Sequence, residues 1–278
     1  MKFSLTFTQE QIAPAKKKAL EHLAEHVTLK GFRQGKAPLD LVEKTAGQDK
    51  VLEETVSHLL PEAYAAYVKE NKLQPIAQPR ISMKKMVTDG EWEFEVEIAE
   101  KPEVKLNKYQ DAIKGEKAKD TIWTPEKGTD APITDPKQKE AEESKKITLV
   151  FDTLLKTAEV EISDILVEEE VNRALSRLIE QVNKLGLKIE QYLDSIGKKP
   201  EEIREEYKKT SVDNLKLEFI LDAIARDQKV EASESDVEAI LKDVDPKTVE
   251  ELKKHPMEMA NLKYSIIKHK VVDYLMSL

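Results

Sequence analysis

The sequence predicts an α+β protein: a small antiparallel sheet with packed helices over residues 1–109, followed by an all-helical domain over 137–278. Three observations predict it. Apolar and polar residues alternate at Phe3, Leu5 and Phe7, and again at Trp92, Phe94, Val96 and Ile98, whose intervening positions are all glutamates; a period of two marks strands with one apolar face. Periodicity is lost over 110–136, where Gly115, Pro125, Gly128, Pro132 and Pro136 stand among lysines and acids, so this stretch reads as a linker or extended arm. From Lys137 onward apolar residues recur at three- and four-residue spacing with no convincing alternating strand.

Each element follows from its own pattern. After the first strand, Ile12, Ala19, Leu20, Leu23 and Val27 form a helical stripe beginning near Gln9. Pro38 is placed to open a short helix through Leu39, Val42 and Ala46, and Gly47 to stop it. Leu52, Val56, Leu59, Leu60, Ala63 and Tyr67 define the next helix, which Pro61 should kink or divide. Ile81-Ser82-Met83 is a second, weaker strand, and the three strands need the helices as cover.

In the helical part, Ile147, Val150, Phe151, Leu154 and Leu155 make a helical stripe despite their strand-favouring residue types. Ser163 caps the following helix, which runs to Gly186. A short helix over 189–196 ends at Gly197, Pro200 opens a long one, Ser233 caps another, and the last pattern spans 257–278. Between Leu215 and Ile224 the apolar residues cover more than one helical face, so this segment is either a central bundle helix or the lining of an open groove.

Composition narrows function. The 278 residues include no cysteine, which excludes disulfide and thiolate chemistry and favours a reducing compartment. The first ten residues hold no sustained apolar run and no later window reaches a membrane-spanning length, so a cytoplasmic location without a membrane partner is expected. The net charge of −9 argues against general nucleic-acid binding, but it is uneven: residues 1–50 carry 9 Lys+Arg against 6 Asp+Glu, a net of +3, leaving −12 on the rest.

Two motifs compete for chemistry. His22-Leu23-Ala24-Glu25-His26 fits H-x-x-E-H, two histidines on one helical face with Glu25 as a possible base, the pattern of a zinc hydrolase that would still need a third ligand. An ordinary solvated helix explains it as well. The second is Gly31-Phe32-Arg33-Gln34-Gly35-Lys36-Ala37-Pro38, an aromatic ring and two cations on a glycine-bounded loop between helices. It reads as a docking tip, since Phe beside Arg combines apolar anchoring with charge-assisted hydrogen bonding. The alternative is that Phe32 folds into a local core. No P-loop, dinucleotide fingerprint, nucleophile elbow or calcium-loop spacing is visible, and no cofactor is expected.

The loop carries a family resemblance. Gly31, Phe32, Arg33, Gly35, Lys36 and Pro38 fill every fixed place of the G-F-R-x-G-K-x-P signature of bacterial trigger factors, ribosome-associated chaperones. The likeness continues through Leu73-Gln74-Pro75-Ile76 and residues 92–104, then more diffusely around 217–230, covering roughly 1–108 and 137–278. The resemblance implies an amino-terminal domain that docks beside the ribosomal exit tunnel and a carboxy-terminal domain whose arms cradle nascent or unfolded polypeptide. It implies that Phe32 and Arg33 contact a ribosomal protein, with Lys36 near ribosomal protein or RNA.

Two departures from the pattern matter. Gln34 stands where a common member has lysine, and the 110–136 interval is too short for the FKBP-like prolyl isomerase domain that members usually insert there. The expected activity is therefore ATP-independent holding of apolar segments without isomerase catalysis, by a monomer or weak homodimer. Leu215, Phe219 and Ile220 are the expected client-binding residues. The alternatives are a ribosome-independent helical chaperone or scaffold and the zinc hydrolase.

Overall fold

The computed structural model describes residues 1–29, 32–33, 35–87, 90–121, 136–242, 244–245, 248–249, 252 and 254–278. They form two units, Met1–Lys101 and Pro102–Leu278.

In the first unit, strands β1 (Lys2–Phe7), β2 (Arg80–Met86) and β3 (Trp92–Glu97) make an antiparallel sheet in the order β1-β3-β2. The register sets Phe3 opposite Val96, Leu5 opposite Phe94 and Phe7 opposite Trp92, so these six residues share one face. Helices α1 (Gln9–His26) and α3 (Gln48–Glu70) cover it through Ile12, Ala15, Leu59 and Leu60. The glutamate face is not bare: Glu95 lies 3.1 Å from Lys84, and Glu97 lies 3.6 Å from Lys2 and 3.5 Å from Arg80.

Helix α3 runs undivided through Pro61, where the sequence predicts a kink or a break. A proline inside a helix costs about 3 kcal/mol. The adjacent Leu59 and Leu60 are buried in the sheet core, and burying two such side chains contributes about as much or more. A short helix, α2 (Leu39–Ala46), closes a second core in which Leu20 and Ala24 of α1 meet Val42 and Val51.

The second unit begins earlier than the pattern suggests. Val104–Lys105 (β4) pairs antiparallel with Glu159–Val160 (β5), a two-residue ribbon too short to show alternation. Tyr109–Thr121 is a helix, α4, so residues 102–109 belong with the helical unit, and the expected linker is helical as far as Thr121. Its first turns hold Tyr109 and Ile113, four residues apart and both buried among Val150, Leu154, Ile220 and Ile224. Gly115, which reads as a breaker, sits on an open side of this helix. Residues 122–135 of the expected linker lie outside the described residues.

Helices α5 (Pro136–Thr157), α6 (Asp164–Lys184), α7 (Ile189–Ile196), α8 (Pro200–Asp227), α9 (Glu234–Leu241) and α10 (Pro256–Ser277) follow in this unit. The 147–151 segment is helical as its stripe predicts. The main core gathers α4, α5, the second half of α8 and the end of α10. The first half of α8 pairs instead with α6, Arg204 donating to Asn172 Oδ1 at 3.3 Å. α7 makes the turn between them, closed by Gly197 at φ +65°.

Candidate functional site

The 27–38 loop leaves α1 in extended conformation at Val27, whose N–H donates to Leu23 O at 2.9 Å. Its two ends are pinned. Leu29 and Ala37 pack on the second core, and Gly35 N–H donates to Ala24 O at 3.0 Å, tying the loop back to α1. Gly35 holds φ at +77°, a left-handed conformation that side chains with a Cβ resist. Lys36 N–H closes on Arg33 O at 2.9 Å, and Pro38 stands as the residue before α2 rather than inside it.

This bracing leaves the tip turned outward. Phe32 is 44% exposed and belongs to no core cluster, which removes the reading that it folds inward. Arg33, Gly35, Lys36 and Pro38 are exposed with it. Gly31 and Gln34 lie outside the described residues. The side chain of Lys16 spends its charge on Glu43 at 2.7 Å, between α1 and α2; neither Arg33 nor Lys36 has an acidic partner among the described residues.

The expected client-binding trio divides. Leu215 and Phe219 are half-buried, but Ile220 is 0% exposed, inside the main helical core with Val150 and Leu275. Where apolar residues cover more than one face of a central helix, one face must point into the bundle, and Ile220 lies on it. Sequence reasoning missed a different set. Leu185 is 75% exposed at the turn after α6, and Ile179, Leu187 and Ile196 are exposed near it. For Leu185 and Leu187 the signal was legible as leucines flanking Gly186, which places apolar side chains where no helix face can bury them. A second apolar surface lies between α9 and α10, an open groove of about 610 Å³ whose walls include Val237, Leu241 and Met259 and whose edges carry Glu238 and Lys263. Met257, 77% exposed, stands in the first turn of α10, two residues before Met259.

The H-x-x-E-H motif resolves differently from the hydrolase pattern. His22 and His26 meet ring to ring, edge-on at 4.9 Å, but the ligand-like cluster that includes His22 joins it to Glu54 and His58 of α3. Glu25 and His26 are not members of it. Two ligand atoms thus come from the helix opposite the motif, where no local spacing could reveal them.

Tyr109 and Tyr264 are pushed up to about 12, in both cases chiefly by burial, with the carboxylate of Glu218 adding to the effect on Tyr264. Tyr109 packs in the main helical core, whereas the Tyr264 hydroxyl donates to Glu218 Oε1 at 3.4 Å and its ring carries the Lys268 ammonium at 4.4 Å. Asp236, at the start of α9, is held down to about 2 by hydrogen bonds from Lys270 and Ser233. Among the described residues no helix is long and apolar enough to cross a membrane.

Comparison with known proteins agrees with this architecture. The model described as bacterial trigger factor protein matches residues 1–127, and that of the bacterial trigger factor carboxy-terminus matches 134–277. The trigger factor of Lactococcus lactis subsp. lactis (strain IL1403) is 36% identical over 108 residues, 39% of this chain and 25% of that protein. That of Streptococcus sanguinis (strain SK36) is 35% identical over 109 residues, 38% of this chain and 26% of the relative. These matches span about a quarter of each relative's length. A solved structure presented as "Promiscuous Substrate Recognition in Folding and Assembly Activities of the Trigger Factor Chaperone" shares the fold at a TM-score of 0.63 and 17% identity, covering 99% of this chain and 96% of that one. Only residues 128–133 separate the two matched models, and no FKBP-like isomerase domain lies between them. With a loop-bearing α+β unit matched by one model and more than half the chain, its helical part, matched by the other, the chain belongs to the bacterial trigger factor family.

Proposed function

We propose that this chain is an ATP-independent cytoplasmic chaperone that docks near the ribosomal exit tunnel through its 31–38 loop and reversibly holds apolar segments of nascent or unfolded polypeptide. The observation that carries the docking half is the outward-turned Phe32 beside Arg33 and Lys36, on a loop whose ends are pinned to α1 and the second core. A rigid base lowers the ordering cost of binding, and exposed cations near an apolar ring suit a partner surface of ribosomal protein and RNA. Support for the holding half comes from the exposed apolar turn around Leu185 and the groove beside Met259, set in a strongly acidic helical part that keeps the empty surface soluble. Leu215 and Phe219 remain candidates there, and Ile220 does not.

Co-sedimentation with ribosomes tests the reading. Wild type is expected to pellet with ribosomes and to be released progressively as salt rises, while Phe32→Ala/Arg33→Ala stays in the supernatant yet still suppresses aggregation of an unfolded client. Equal pelleting by both proteins would remove the loop from the docking surface. Loss of client protection together with docking would deny that the two units carry separate tasks.

A further inference from the structure

We propose that His22, Glu54 and His58 form a binding site for a borderline divalent transition-metal ion of the Zn²⁺ type, bridging α1 and α3. One nitrogen or oxygen atom from each residue lies within 4.8 Å of those of the other two. Two imidazoles and a carboxylate are a ligand set such ions accept, and ligand atoms around a tetrahedral ion at the usual bond lengths stand about 3.4 Å apart. His58 Nε2 is 3.5 Å from Glu54 Oε1, already at that separation.

The present hydrogen bonding leaves a defect that an ion would repair. His22 Nδ1 sits 2.6 Å from Glu54 Oε1, a distance that requires a proton between them. The same oxygen is too far from His58 Nε2 to bond it, and that nitrogen is shielded from solvent with no hydrogen-bond partner. A buried unpaired nitrogen carries a desolvation penalty, and its presence in a folded protein calls for an ion or a water. Replacing the shared proton by a divalent ion, with His22 and Glu54 moving apart by less than an ångström, would satisfy all three groups at once. Proton release accompanies the exchange, and water fills the fourth position.

The position gives the site a consequence. Glu54 and His58 are one turn apart on α3, and His22 belongs to the last turns of α1, two residues before Ala24, whose carbonyl holds Gly35. An ion there would fasten the last turns of α1, from which the loop departs, to α3. The site itself does not depend on what the loop binds.

Cobalt titration of the untagged full chain, followed by visible absorption, tests the proposal. Wild type is expected to saturate at one Co²⁺ per chain and to release it to added Zn²⁺. His22→Ala, Glu54→Gln and His58→Ala should each weaken binding by at least about tenfold, whereas His255→Ala and His269→Ala should not. Because a variant could lose its fold, ring-proton resonances of wild type give a second reading: Zn²⁺ should move those of His22 and His58 and leave His255 and His269 in place. No saturable binding, undiminished binding by the three variants, or shifts confined to the other histidines would overturn the site. Ribosome co-sedimentation is a separate readout, so failure of this site leaves the docking assignment standing, and the reverse.

Discussion

Ile220 and Leu185 are both aliphatic residues on or beside long helices, and their surroundings give them opposite work. Ile220 fills the main helical core, so Ile220→Ala removes packed atoms and leaves a cavity. Its expected cost is about 2–5 kcal/mol, read as a lowered urea midpoint of the helical unit. Leu185→Ser touches no core and should move that midpoint by less than about 0.5 kcal/mol, while weakening suppression of client aggregation. An unchanged aggregation assay with Leu185→Ser would take this turn out of the capture surface. The sequence could name the apolar residues in both places. It could not tell them apart at Ile220, because a helix apolar on several sides does not declare which side meets the bundle.

At the level of elements, the cap of α9 shows how a short helix is held. Ser233 N–H donates to Asp236 Oδ2 at 2.7 Å, Asp236 N–H donates to Ser233 Oγ at 3.3 Å, and Lys270 of α10 reaches the same carboxylate at 2.5 Å. The Ser-x-x-Asp pattern was legible as a cap; the lysine that arrives from 34 residues away was not. Because folding depresses Asp236 to about 2 from the ordinary 3.8, its contribution is present above about pH 4 and is lost as pH falls toward 2. Asp236→Asn should therefore be less stable than wild type at neutral pH, with the two urea midpoints converging near pH 2. A difference that persists unchanged to pH 2 would contradict the assignment. β2 shows the converse limit on reading elements. Its Ile81 and Met83 face the same way as the buried Val96 and Phe94, yet they stay exposed, because the core under the helices takes its strand residues from β1 and β3 and none from β2. Lys84 and Lys85 stand on this edge, where charge discourages pairing with another strand.

For the whole molecule, the uneven charge and the two matched models set the expectations. The first 50 residues carry the basic excess and the helical part most of the acid, so ribosome binding should weaken steeply with salt while client holding should not. The absence of an isomerase domain between the matched models predicts that cis–trans exchange of a prolyl peptide stays at its uncatalysed rate in the presence of the purified chain. Acceleration that tracks the chain through purification would contradict it. The strands, most helices, the Ser233 cap and the loop with its Phe32 and Arg33 were legible locally, because they are encoded by periods of two and 3.6 and by turn chemistry within a few residues; Ser163 precedes its helix as expected but makes no side-chain cap bond. Tertiary structure alone decided that Tyr109 and Ile113 join the helical core, that Ile220 points inward, that Phe32 points outward, and that His22 meets Glu54 and His58. Those outcomes depend on which faces meet across long stretches of chain, a choice made by packing that no local spacing records.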